Sequence, residues 1–208
     1  MVDSLTPVIV FAKAPVAGAV KTRLAPRLDP IASAALHVEL VERTLVVATA
    51  AGIGPVELAC APDSTHPAFA RWAEHFGVTV TEQGEGDLGA KMARALDRVI
   101  RVHGRAVLIG TDCPALDTAY LHQAAGALAG GAAVVLGPAE DGGYVLVGAS
   151  RVGIPMFDDI EWGTVAVLGA TRDRLAGVGI TATELATLWD IDRPEDYERY
   201  QTLRREGK

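Results

Sequence analysis

Lys13, Lys21, Thr22 and Arg23 fall within one short stretch, Val8–Leu24 (VIVFAKAPVAGAVKTRL), and their combined chemistry suits a polyphosphate. Ammonium and guanidinium groups neutralise phosphate charge, an arginine grips two oxygens at once, and a hydroxyl adds a further donor. Small residues such as Ala12, Ala14 and Gly18 let a ligand approach backbone N–H groups closely. The loop is not a Walker A sequence, because Val20 rather than glycine precedes Lys21-Thr22, and it lacks the three-glycine dinucleotide fingerprint. The pattern therefore points to a phosphate-bearing ligand and away from P-loop ATPases and Rossmann dehydrogenases. The plainer alternative is a solvated surface loop.

Carboxylates supply the second set of candidates. In Ile109-Gly110-Thr111-Asp112-Cys113-Pro114 an apolar run delivers Thr111 and Asp112 at its end, and the proline stops the run from continuing. A carboxylate so placed suits Mg²⁺, which takes one or two carboxylates together with substrate phosphates. A turn-forming Asp-x-Pro is the alternative. Cys113 has no histidine in a motif-like relation to it, which argues against a thiol nucleophile. In Trp189–Asp196 (WDIDRPED), Asp192 and Glu195 have the spacing of a helix capping box. Asp190 and Asp192 lie two apart and would share one side of an extended segment, so a metal role for the pair stays open beside the capping role. In Gly137–Tyr144 (GPAEDGGY), Glu140, Asp141, Gly142, Gly143 and Tyr144 form a candidate substrate loop or a plain β-turn. Gly84–Gly89 (GEGDLG) is a glycine-rich approach to a helix, in which Asp87 and Gly89 contact a nucleotide or Asp87 serves as N-cap.

These residues need a scaffold that brings their segments to one edge. Short β-like runs at Pro7–Ala12, Val56–Cys60, Val78–Glu82, Ala106–Gly110, Ala133–Leu136, Tyr144–Val147 and Ile180–Thr183 alternate with helical patterns. The helices are expected at Ile31–Ala51, Pro67–Phe76, Leu88–Val102, Asp117–Leu128, from about Thr164 and from Arg193. Such alternation predicts a single-domain α/β three-layer sandwich over residues 1–208, with a mostly parallel sheet between two helical layers. Ligands of such sheets bind outside the carboxyl ends of the strands, where the residues named above fall.

At 208 residues and a net charge of −7, with no basic stripe, the chain is not built for nucleic acid. Cys60 and Cys113 have no zinc or redox spacing, and no apolar run approaches a membrane span, so a reduced, cytoplasmic protein is expected. Asp3 with no early Lys or Arg argues against a signal peptide.

Taken in order, FAKAPVAGAVKTRL, GDLGAKM, LIGTDCP, GPAEDGGYVLVG and DIDRPEDY resemble the bacterial radical-SAM-associated transferase family, over roughly Val8 to Tyr200. That family has the glycosyltransferase-A fold and is similar to nucleotidyltransferases such as the deazaflavin-cofactor guanylyltransferases. The resemblance implies that Lys21, Arg23 and Asp112 are catalytic. It implies a nucleotide held at Ala12, Lys13, Ala14, Gly18, Lys21, Thr22, Arg23, Asp87, Gly89 and Thr111. It further implies Mg²⁺ or Mn²⁺ at Asp112, Asp192 and Asp190. The expected activity is transfer of a nucleotidyl group from a triphosphate to a small phosphorylated acceptor, in a monomer or homodimer. Glycosyl transfer from a nucleotide-sugar is the alternative, and a non-catalytic nucleotide-binding module the second. Arg193 stands where the related motif has threonine, and the run of consecutive glycines of many sugar nucleotidyltransferases is missing.

Overall fold

The computed structural model describes residues 5–205; Asp3, on which the reading of the N-terminus rests, lies outside them. Seven strands follow the expected order: β1 (Val8–Lys13), β2 (Val56–Ala61), β3 (Thr79–Glu82), β4 (Ala106–Ile109), β5 (Val134–Pro138), β6 (Tyr144–Ala149) and β7 (Thr183–Glu184). They form one sheet in the order β3-β2-β1-β4-β6-β5-β7. β6 runs antiparallel to both β4 and β5, and the other pairings are parallel. β5 and β6 are joined by the Gly-Gly turn, short enough only for an antiparallel pair.

Six helices cover the sheet: α1 (Pro30–Ala51), α2 (Pro67–Phe76), α3 (Leu88–His103), α4 (Thr118–Ala129), α5 (Val167–Gly177) and α6 (Pro194–Arg205). Asp29, Asp87 and Asp117 cap α1, α3 and α4, each accepting a backbone N–H at 2.8 Å. Alternation along β1 splits its side chains between two cores, as the period of a strand requires. Val8, Val10 and Ala12 join Leu45, Phe69 and Leu121 on the α1/α2/α4 face. Ile9 and Phe11 join Met92, Leu96 and Leu175 on the α3/α5 face. A third cluster, with Leu24, Leu40, Ile191 and Tyr200, fastens α6 beside the β1 loop. α5 begins at Val167 rather than near Thr164, because the Thr164 hydroxyl bonds the Glu161 carbonyl and the Ala166 N–H in a local turn. Among the described residues, no helix is long and apolar enough to cross a membrane.

Candidate active site

The segment after β1 carries Lys21 in a left-handed conformation (φ 52°), followed by a single 3₁₀ turn, Thr22–Leu24. The buried Leu24 anchors that turn. Positive φ disfavours a lysine, and the contacts of its side chain offset the cost. Lys21 Nζ lies 2.8 Å from Asp112 Oδ1, with the lysine side chain only 5 % exposed. It also donates to the Ile191 carbonyl at 2.5 Å. Asp112 stands just beyond β4, and its own carbonyl accepts the Ile191 N–H at 2.8 Å. One lysine thus ties together the β1 loop, the end of β4 and the segment leading to α6.

That segment follows the sheet edge. Leu188 pairs with Ala139 as a parallel bridge, exchanging backbone bonds with Pro138 and Glu140, before the chain crosses to Asp112. Ile191 is fully buried while Asp190 and Asp192 face the cleft, so the two aspartates share one side as their spacing predicts. Arg23 reaches Asp192 at 2.6 Å. The cap of α6 differs from expectation. Asp196, not Glu195, reaches back to the N–H groups of Arg193 (2.8 Å) and Asp192 (3.2 Å). The helix starts at Pro194, which shifts the box by one residue and leaves the Asp192 carboxylate for the cleft.

The cleft at this edge has two lobes that meet at Phe11, Arg23, Leu88, Gly110, Asp112 and Asp192. A cationic lobe of about 470 Å³ is walled by Ala12, Lys13, Lys21, Thr22, Arg23 and Thr111, all expected nucleotide contacts. An acidic lobe of about 330 Å³ is walled by Asp112, Asp141, Asp190 and Asp192 together with the apolar Met92, Leu108 and Trp162. Gly143 and Tyr144 line it too.

Other expected site residues fall elsewhere. Asp87 is occupied as the cap of α3, and Gly89 packs so tightly that a Cβ would meet Trp162 Cζ2 at 2.8 Å. Ala14 is buried in the core, and Gly18 (φ 83°) faces open space; neither lines the cleft. Glu140 turns outward to Arg199 at 2.8 Å, whose guanidinium stacks 4.2 Å above Trp189. Gly142 (φ 89°) shapes the turn without lining either lobe.

Electrostatics follow the same division. Burial first, then repulsion from Asp141, Asp112 and Asp192, pushes the Asp190 carboxyl up to about 7, with Lys21 opposing. The hydrogen bond to Asp192 holds the Arg23 guanidinium more firmly protonated. Burial lowers His37, whose Nε2 donates to the Lys13 carbonyl at 2.9 Å. Burial pushes the Cys113 thiol up to about 12, which keeps it protonated and unreactive. The aspartates expected as metal ligands share one wall, yet among the described residues no three His, Cys, Asp or Glu side chains are grouped to hold a metal ion. Asp112 and Asp192 are instead engaged by Lys21 and Arg23.

Sequence reasoning passes over His37, Gln83 and Trp162. His37 is a polar residue on the buried stripe of α1, flanked by Leu36 and Leu40, a signal available in the sequence. Gln83, buried just beyond β3, fixes the Ala59 carbonyl at 2.9 Å. Trp162 sits in a turn with no periodicity to announce it.

A family profile described as "Uncharacterized protein conserved in bacteria (DUF2064)" matches residues 44–164. No curated protein matches the chain. Among solved structures, one from Desulfovibrio desulfuricans G20, provisionally assigned as a nucleotide-diphospho-sugar transferase, is 25% identical with a TM-score of 0.82, over 93% of this chain and 84% of that one. A nucleotidyl transferase from Methanothermobacter thermautotrophicus is 17% identical with a TM-score of 0.66, over 98% and 99%. Rv0371c from Mycobacterium tuberculosis H37Rv, solved in complex with manganese, is 20% identical with a TM-score of 0.53, over 94% and 97%. The last two likenesses are of fold.

Proposed function

The chain belongs to the DUF2064 family, whose description leaves the activity open, and from the cleft we propose a divalent-cation-dependent transferase that uses a nucleotide donor. One observation carries this reading. The cations suited to phosphate and the carboxylates suited to a hard metal are interlocked across a single cleft, Lys21 on Asp112 at 2.8 Å and Arg23 on Asp192 at 2.6 Å. A metal–polyphosphate brings both partners at once, each cation exchanging a carboxylate for phosphate oxygens.

In this reading Lys13, Lys21, Thr22 and Arg23 bind and orient the phosphates in the cationic lobe, with the acceptor in the acidic lobe beside them. Asp112 and Asp192 would hold Mg²⁺ or Mn²⁺. The fit is chemical: Asp112, Asp141, Asp190 and Asp192 line one lobe, where burial and then their mutual repulsion push the Asp190 carboxyl up to about 7, and Mg²⁺ needs only one or two carboxylates when phosphates complete its shell. A bound ion supplies charge stabilisation at the transferring group. The residues contribute positioning and preorganised charge. In nucleotidyl transfer an acceptor oxygen attacks the α-phosphorus and pyrophosphate leaves. Glycosyl transfer is the second reading, favoured by the assignment of the Desulfovibrio protein, whose TM-score is 0.82; there the acceptor attacks the sugar carbon and a nucleoside diphosphate leaves.

The test is a thermal-shift screen of nucleoside triphosphates and nucleotide-sugars, with and without Mg²⁺ or Mn²⁺, on wild type and on Lys21→Ala/Arg23→Ala. Wild type should be stabilised by a nucleotide only with the cation. The double variant should lose on the order of tenfold affinity or more per group, as charge-assisted bonds to phosphate imply. Unchanged affinity in the variant would refute the phosphate role. Binding without turnover across acceptor panels would instead indicate a nucleotide-binding module.

A further inference from the structure

We propose that the acidic lobe takes an uncharged, hydroxyl-bearing acceptor with an apolar face, and that Asp141 is the specificity residue that turns phosphorylated acceptors away. This rests on the nucleotide-donor reading above.

Charge within the lobe is the first ground. Its walls hold Asp112, Asp141, Asp190 and Asp192 against a single cation, Arg23, which is already paired with Asp192. The lysines of the cleft, Lys13 and Lys21, lie on the other lobe. When a divalent cation is held by Asp112 and Asp192, Asp141 and Asp190 still face the acceptor with no cation assigned to them. A phosphate ester there would meet like charge, whereas hydroxyls would donate hydrogen bonds to these carboxylates.

The apolar part of the lining is the second ground. Phe11, Met92, Leu108 and Trp162 present an apolar surface, to which the exposed Leu88 adds. Trp162 is held in place by contact with Gly89 and Phe157. A ligand with an apolar face and hydroxyls elsewhere suits both this surface and the carboxylates.

The position of Asp141 is the third. Its neighbour Glu140 is drawn out of the cleft by Arg199, yet Asp141 is kept at the lobe by the Gly143 N–H, which donates to Oδ1 at 2.8 Å. Gly142 is pressed against Val165, where a Cβ would lie 2.3 Å from the carbonyl oxygen, so the turn has little room to swing. Among the described residues Asp141 makes no salt bridge, and its charge acts on Arg23, on Asp190 and on what enters the lobe.

The experiment measures binding of phenyl β-glucoside and of its 6-phosphate by calorimetry and tryptophan fluorescence. It uses the full chain with Mg²⁺, with and without the nucleotide found in the screen. Wild type should prefer the uncharged glycoside by about tenfold or more, since like-charge juxtaposition costs at least that. Asp141→Asn keeps a side-chain oxygen for the Gly143 N–H and should narrow the preference severalfold by removing one of the two carboxylates that repel the phosphate. Trp162→Leu should weaken both ligands alike. Tighter binding of the phosphate by wild type, an unchanged ratio in Asp141→Asn, or no binding of the glycoside would each overturn the proposal. Nucleotide binding is read independently. If nucleotide binds and the glycoside preference fails, only this inference falls; if the preference holds without nucleotide binding, the donor reading falls alone.

Discussion

Replacing Asp190 by asparagine is expected to stabilise the protein near pH 8 and to leave its stability unchanged near pH 4. The carboxyl lies at about 7 in the folded chain, against an ordinary 3.8, through burial and then repulsion from Asp141, Asp112 and Asp192. A carboxyl raised on folding binds its proton more tightly in the native state. Its contribution is therefore fully present below about pH 4 and is lost as pH rises to about 7. At ~1.4 kcal/mol per pH unit the full displacement amounts to ~4 kcal/mol. Asp190 is only half-buried, and solvent screening reduces this to roughly 2 kcal/mol. For a domain of this size that corresponds to a rise of ~4–8 °C in melting temperature for Asp190→Asn at pH 8. Thermal denaturation of both proteins at several pH values measures the gap directly, and effects of other titrating groups cancel in the difference. Mg²⁺ should narrow the gap at pH 8, because a cation beside Asp190 relieves the repulsion that raises it. A gap of equal size at pH 4 and pH 8 would show that the carboxylates do not interact as described.

Asp196→Ala should cost ~1 kcal/mol in urea denaturation, the usual loss for a helix cap, while Asp192→Asn should cost little because Asp196 carries the cap. Asp112→Asn and Asp192→Asn should each weaken Mg²⁺–nucleotide binding by calorimetry, with effects that do not add, since both act on one ion; strict additivity would separate their roles. Gly142→Ala should destabilise by ~1–3 kcal/mol, because its left-handed backbone (φ 89°) and its closeness to Val165 leave no room for a Cβ.

The sequence made the scaffold legible because each element carries its own period and punctuation. The VIVFA and AVLI runs have no polar interruption, as strands covered on both faces require, and Lys13 stands exposed where β1 ends. The carboxylates at 112, 190 and 192 were legible as candidates because a strand end and an alternating segment fix where they emerge. What stayed hidden depends on packing between distant segments. Nothing near Glu140 tells that Arg199 will draw it outward while Asp141 stays at the cleft. Nothing near Asp192 decides between helix starts one residue apart, and that choice moved the cap to Asp196. Trp162 gains its place from Gly89, far away in the chain, and no local signal links them.

Beyond the six residues at which they meet, the two lobes draw on largely separate stretches of chain, which leaves them free to diverge separately. The cationic lobe is built from the β1 loop, His37, Gln83 and the end of β4. The acidic lobe takes most of its private wall from one continuous stretch, Ala139 to Val167. Exchange or drift of that single stretch redirects what the acidic lobe accepts and leaves the cationic lobe untouched. A lineage carrying this fold can diversify one half of its chemistry as a module, and homologues should differ most between residues 139 and 167 where their small-molecule partners differ.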